Sequence, residues 1–212
     1  MYFTKEKNVL VEELFHLDNF YKLLLLYSIM QLDKAIESRE SIRKYTSKKP
    51  NWRKIIESID MARYAPMAGG INSIKFILVD DKEKINQIAK SCDQDFVGTA
   101  QYIVVVCSTT SLVTNSYGKL RGERYLRQQA GAAIENFLLK LTENNLSTCW
   151  VGHFIDSQIK KTLKIPEEVI VEAVFPIGFK NEKRTSKKKI DLDNILYFNE
   201  YENKKMIVPK RS

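Results

Sequence analysis

Arg39, Ser41 and Arg43 put two guanidiniums and a hydroxyl into the short stretch SRESIRKY, residues 38 to 45. A guanidinium is a planar fork that matches the oxygens of a phosphate, and a serine hydroxyl adds one more donor. The chemistry available to this cluster is therefore capture of an anion. The residues before it predict a helix and those after it do not. If the helix reaches both arginines, which are four apart, they share a face. If it ends between them, they can close around an anion from two sides. The bare pattern also suits a solvated surface, with the arginines paired to Glu37 and Glu40 or left in water.

Further segments give the cluster company. APMAGGINSIKFILV (65–79) joins a proline, small residues and two glycines to a strand, so its backbone can approach a flat ligand closely. LSTCWVGHF (146–154) is a second glycine loop, and KNEKRTSKKK (180–189) is a basic run that follows FPIGF.

The elements that must position these residues follow from pattern. Residues 8–30 and 31–38 predict helices, the second leading into the arginine cluster. NWRKIIESIDMARYAP predicts a helix with Ile55, Ile56, Ile59 and Ala62 on one face, stopped before Pro66. IKFILVDD predicts a strand, KEKINQIAKSC a short helix, and QYIVVVCST a strand buried on both faces. The longest helix is predicted over ERYLRQQAGAAIENFLLKLTENN, where Ala130, Gly131, Ala132 and Ala133 would let another helix or a ligand come close. LSTCWVGHF gives a short strand and loop, Asp156 a cap for a helix running to Leu163, EVIVEAVFPIGF a strand and DLDNILYF a last short helix. Helices and strands alternate without regular βαβ spacing, which points to layered mixed α/β architecture.

In this order and spacing the motifs resemble the nitroreductase family of FMN-dependent flavoproteins. The family's Arg-x-Ser-x-Arg after its first helix is matched by Arg39, Ser41 and Arg43. Its Ala-Pro-Ser-small-Gly-Asn-x-Gln-Pro-Trp-x-Phe is matched by the run from Ala65 to Phe76. Its Trp-Ile/Val-Gly-x-Phe is matched by Trp150 to Phe154, and its final strand, basic stretch and short helix by Val169 to Phe198. The resemblance implies an α+β, three-layer α-β-α fold with a mostly antiparallel central sheet and helices on both faces. It implies a nitroreductase-like domain over residues 31–212, behind an N-terminal helical extension over residues 1–30.

It also implies FMN as cofactor and NAD(P)H as electron donor. The cycle would be ping-pong hydride transfer through the flavin to a nitroaromatic, quinone or similar small-molecule acceptor, in a homodimer. Arg39, Ser41 and Arg43 would hold the phosphate and ribityl chain, with Arg184 or Lys188 adding a phosphate contact. Pro66, Met67, Gly70 and Asn72 would lie beside the flavin, and the Val151, Gly152 and His153 segment would turn backbone amides toward its ring. Gly70 and Asn72 stand where the family places Asn and Gln, and the space that Gly70 leaves is expected to be open. No residue is assigned as general acid or base, and no metal is expected. A specialised relative that fragments flavin or removes halogen would need a lid insertion, for which residues 108–128 are the one candidate.

Composition agrees with this reading. The chain has 212 residues, of which 44% are hydrophobic and 28% charged, which supports one sizeable core and argues against disorder. Its net charge of +8 suits anionic partners. A basic nucleic-acid-binding protein is the rival from another class. Against it, aromatics do not interleave with the basic residues, and the basic run is one short loop. Cys92, Cys107 and Cys149 show no CxxC spacing, so a zinc ribbon or disulfide framework is not expected. Cys107 and Cys149 are expected in the core, and His153 to line its loop. FYKLLLLYSIM (20–30) is too short to span a bilayer, and Glu12, Glu13 and Asp18 argue against a secretory signal. The expected location is the cytoplasm, with no membrane partner.

Overall fold

The computed structural model describes residues 32–182 and 189–206. The predicted helix over 8–30, the extension over 1–30, and both Arg184 and Lys188 lie outside the described residues. The chain divides into two compact units after Glu182.

In the first unit, helix α1 covers 32–38 and is followed by an extended segment over 39–45. Helix α2 is Trp52–Ala62 and starts where the Asn51 side chain accepts a hydrogen bond from the Arg53 amide. Strand β1 is Ile74–Val79 and helix α3 is Lys82–Cys92, capped by Asp81. Strand β2 is Tyr102–Thr109; helices α4 (Thr110–Tyr117) and α5 (Lys119–Glu143) follow it with only Gly118 between them. Strand β3 is the pair Ser147–Thr148, helix α6 is Asp156–Leu163, and strand β4 is Val169–Gly178. The second unit, over its described residues, holds a single 3₁₀ turn, Leu192–Asn194, where the sequence suggests a short helix. The strands form one sheet in the order β1-β2-β4-β3, and every neighbouring pair is antiparallel.

Strand β2 shows why the sheet carries helices on both faces. Side chains alternate across a strand. Tyr102, Val104 and Val106 enter one core with Ala130, Ala133, Ile134 and Phe137 of α5 and Ile55 of α2. Ile103, Val105 and Cys107 enter the other core with Ile85 and Ile88 of α3 and Ile159 of α6. Two helical layers thus cover one central sheet, as expected. All of β2 but its last residue is buried, which is the reason for its unbroken apolar run.

Three details depart from the sequence reading. On α2, Ile55 and Ala62 are buried, but Ile56 is 44% exposed, so the apolar face is narrower than expected. Asp156 is the first residue of α6 rather than its cap; its carboxylate accepts from the Val171 amide and pairs with Lys160. Ala130 and Ala133 face their own core, so the small-residue run offers a second helix only Gly131 and part of Ala132.

The β2–β4 register shifts between Val106 and Cys107, whose partners are Ala173 and Val171. Glu172 is the extra residue of this bulge. Beyond it β4 changes sides: Val171 and Val174 pack in one core, Ala173 and Phe175 in the other. The side chain of Glu172 is 7% exposed, accepts from the Ser108 hydroxyl and pairs with Arg127 of α5. A buried carboxylate is tolerable only when its oxygens are satisfied in this way.

A methyl group on Gly122 would lie 2.6 Å from the Thr114 Cα, where α4 crosses α5. The better helix propensity of alanine is worth about 1 kcal/mol, whereas overpacking costs about 1–3 kcal/mol. Backbone cannot move aside cheaply, so Gly122→Ala is expected to lower stability by about 1–2 kcal/mol, seen as a fall in the urea midpoint. All three cysteines are buried and free. Burial pushes the Cys92 thiol up to about 11, and burial with Asp156 and Glu172 nearby pushes Cys107 up to about 12. Cys149 is also raised, by burial first, against the lowering effect of Arg43 and a hydrogen bond to Ser41. The thiolate is the reactive form. Folded protein near neutral pH is therefore expected to release no colour quickly with Ellman's reagent. One rapidly reacting thiol would contradict the assignment of all three to the core.

Candidate functional site

Helix α1 ends at Ser38, one residue before the first arginine. Arg39, Ser41 and Arg43 therefore stand on extended chain, not on a helix face. Extended chain turns successive side chains to opposite sides, but the alternation is broken here, because Arg43 and Lys44 are both exposed between two buried residues. Ile42 and Tyr45 are buried, while Ser41 and Arg43 are exposed.

This segment lies along the sheet. Ser41 bridges to Thr148 in parallel, and the Ile42 amide donates to the Thr148 carbonyl at 2.9 Å. Further along, Tyr45 bridges to Lys180, the Thr46 amide donates to Phe179, and the Asn181 amide donates to Lys44. The buried Tyr45 hydroxyl donates at 2.6 Å to the Ile42 carbonyl and lies 3.2 Å from that of Pro176. Its ring covers Gly178, where a Cβ would come within 2.9 Å of it. Burial drives the Tyr45 phenol well above its ordinary range, so it stays protonated as a donor.

A cavity of about 440 Å³ opens beside this segment. Arg39, Ser41, Thr148, Trp150 and Lys180 contribute to its wall. Thr148 is buried, and its hydroxyl has no hydrogen-bond partner among the described residues. The charged residues of the wall are Lys34, Arg39 and Lys180 against Glu40 and Glu135, three positive and two negative. Arg39 is 3.7 Å from Glu135, and Lys180 is 3.5 Å from Glu40. Exposed pairs of this kind are worth about 0–1 kcal/mol, while hydrogen bonds to a charged group are worth about 1.5–3 kcal/mol. An entering phosphate would win these cations from their carboxylates. The donor set fits the phosphate end of a nucleotide cofactor. Arg43 is placed differently: its amide donates to the Glu182 carboxylate at 2.8 Å, and its guanidinium sits 5.9 Å from the centre of the Phe96 ring. The cavity gathers two of the three motif residues.

Trp150 stands 44% exposed at the cavity wall, its ring edge-on to Phe175. Val151 is buried, and its amide is committed to Val174 at 3.0 Å. Gly152 and His153 are exposed, and among the described residues neither amide donates to another residue. Of this loop, the amides of Gly152 and His153 are open to a ligand and that of Val151 is not.

Pro66 and Met67 line a second cleft, of about 510 Å³, together with Tyr117 and Tyr125. Its wall shares no residue with the arginine cavity. The loop is pinned by Gln129 of α5, which is buried, accepts from the Ala68 amide at 3.1 Å and donates to the Ser73 hydroxyl at 2.6 Å. Asn72 uses its side-chain oxygen on the Ile74 amide. Gly70 has open space where a Cβ would stand, as expected, but its φ is +70°. An Asn there would have room and would have to adopt the left-handed region, which Asn tolerates better than most residues. Gln129, Ser73, Tyr45 and Thr148 were not singled out from sequence. The one visible signal among them is the helical spacing that puts Gln129 in line with the apolar Leu126, Ala130 and Ala133, since a polar residue on a buried face must find partners.

Among the described residues, no helix is long and apolar enough to cross a membrane. The nitroreductase family model matches residues 36–96 and 88–179. A protein of Methanothermobacter thermautotrophicus, provisionally named an NADH dehydrogenase/NAD(P)H nitroreductase, is 28% identical over 173 residues, covering 79% of this chain and 87% of that one. The crystal structure of a nitroreductase family protein from Clostridium novyi superposes with a TM-score of 0.64 at 25% identity, covering 81% of this chain and 95% of the other. An FMN-dependent nitroreductase from Clostridium difficile superposes with a TM-score of 0.67 at 25% identity, covering 79% and 98%. The fold, the order of the motifs and the extent of the match make this chain a member of the nitroreductase family.

Proposed function

We propose that the protein is an FMN-dependent oxidoreductase that passes electrons from NAD(P)H to a nitroaromatic, quinone or similar small acceptor. The observation that carries this reading is the cavity in which Arg39, Ser41, Lys180 and the unpartnered Thr148 hydroxyl meet beside Trp150. The names of the relatives support it, since one is called an NAD(P)H nitroreductase and another an FMN-dependent nitroreductase. FMN, when bound, supplies the redox chemistry, accepting electrons from the nicotinamide and giving them to the acceptor.

The chain's own residues hold, orient and shield. Arg39 and Lys180 neutralise the phosphate, and Ser41 and Thr148 add hydroxyl donors. The Gly152 and His153 amides are free to donate to ring heteroatoms. Gln129 holds the 68–73 loop in place from behind. No side chain is needed as general acid or base.

The arginine cavity and the cleft at Met67 share no lining residue. A homodimer in which one copy's loop faces the other copy's cavity brings the two halves together. Leu32, Ile36 and Tyr64 are 57%, 52% and 65% exposed, giving the chain apolar surface to cover in such an assembly.

The purified protein, incubated with FMN and passed through a desalting column, is expected to stay yellow with about one flavin per chain. Arg39→Ala removes a charge-assisted contact of about 1.5–3 kcal/mol, so FMN should bind roughly 10- to 150-fold more weakly. Unchanged affinity in that variant would remove Arg39 from the site. Light scattering of the flavin-loaded protein should give twice the chain mass; a monomer that retains flavin would refute the shared site.

A further inference from the structure

The cleft beside Met67, which the proposed assembly sets against a flavin, has an aromatic wall and a basic rim that flavin contacts alone leave unexplained. Among the described residues its wall is mostly apolar and aromatic and contains no charged residue: Pro66, Met67, Ala68, Tyr117, Tyr125 and Gln128 make most of it. Tyr117 and Tyr125 meet edge to face at 5.2 Å. A volume of about 510 Å³ is ample for one ring system.

The rim is different. Along α5, positions 121, 124, 125, 128 and 132 recur at helical spacing and form one strip. Tyr125, Gln128 and Ala132 of this strip line the cleft, and Arg121 and Arg124 stand on the turn before them. Both arginines are exposed, and among the described residues neither forms an ion pair. Arg127 differs, because Glu172 takes its charge. Glu123 lies on the neighbouring strip, four residues from both Lys119 and Arg127. The α4–α5 corner also cannot swing freely over the cleft. Thr114 sits against Gly122, and the Tyr117 hydroxyl sits so near Gly69 that a Cβ there would lie 2.3 Å from it.

We infer that this cleft takes an aromatic acceptor bearing a carboxylate or similar anionic group, with the ring against Tyr117, Tyr125 and Met67 and the anion at Arg121 and Arg124. The inference rests on the flavoenzyme reading and names its acceptor class. Two uncommitted guanidiniums beside a neutral aromatic wall favour an anionic ring, tolerate a neutral one and reject a cationic one. Arg121 and Arg124 are specificity determinants here and carry no catalytic step.

The test is calorimetric, on FMN-loaded protein without any reductant, so that binding is read and no turnover occurs. 4-Nitrobenzoate is titrated against its neutral isostere 4-nitrobenzamide. The acid is expected to bind about fivefold more tightly at low salt, the size two exposed charge pairs can supply, and the gap should close as salt is raised. In the double variant R121Q/R124Q the gap should vanish while the amide binds as before. Equal affinities in the native protein, failure of both compounds to bind, or a preference that survives the double substitution would each overturn the inference. A protein that takes up no FMN fails earlier, by its absorption spectrum, and takes both readings down. A yellow protein without the preference overturns this one alone.

Discussion

One backbone hydrogen bond, from the Ile42 amide to the Thr148 carbonyl, sets the geometry on which the candidate site depends. It makes the arginine segment a further strand beside β3, itself only two residues long. An edge that short presents few backbone groups, and the added segment takes up the Thr148 carbonyl among them. Once this pairing exists, α1 must stop at Ser38, and the motif runs on extended chain with Ser41 and Arg43 exposed on either side of the buried Ile42. Tyr45 then locks the far end of the segment onto β4 through the Pro176 carbonyl and the bare backbone of Gly178. Trp150 follows two residues after Thr148 on the same chain, so the strand that fixes the arginines also fixes the Trp-Val-Gly loop. The two motifs are distant in sequence and meet because they share one sheet edge.

Much of the fold was legible because its signals are local. The unbroken apolar run of β2, the Asn51 and Asp81 caps and the long α5 stretch each dictate their own element through period, propensity and capping. What was not legible is what the chain decides through distant contacts. The change of side along β4 arises from a bulge at Glu172. A carboxylate in an apolar strand pattern reads from sequence as an outward residue, not as a buried anchor for Ser108 and Arg127. Asp156 likewise resembles a cap by type and position, yet its oxygens are claimed by Val171 and Lys160.

The site divides in the same way. The residue types that bind phosphate were visible as a motif, because the chemistry needs guanidiniums and hydroxyls close in sequence. Their reach was not. Arg39 and Ser41 line the cavity, whereas the Arg43 guanidinium lies over Phe96 and its backbone amide donates to Glu182. Whether an arginine at spacing i+4 joins its neighbour depends on helix or strand, and a helix that stops one residue earlier changes the answer. Thr148 carried no signal at all. A threonine in a short strand is ordinary until its hydroxyl is found buried at a cavity wall without a partner among the described residues.

The two ends of α5 are treated differently, and the difference bears on how the family fold can be specialised. From Gln129 onward the helix is committed to the sheet: Gln129 pins the 68–73 loop, and Ala130, Ala133 and Phe137 fill the core. Substitution there disturbs packing directly. Before Gln129 the inner strip is committed just as firmly, with Gly122 against Thr114 and Leu126 fully buried, but the outer strip carries only Arg121, Arg124, Tyr125 and Gln128. Exposed side chains on a well-anchored helix can change at little cost in stability. The arginine cavity, whose wall includes Glu135, Leu138 and Thr142, is thus tied to elements the core cannot spare. The residues facing the second cleft ride on a scaffold that holds whatever side chains they become, so that in the proposed flavoenzyme acceptor choice is free to vary while the arginine half stays fixed.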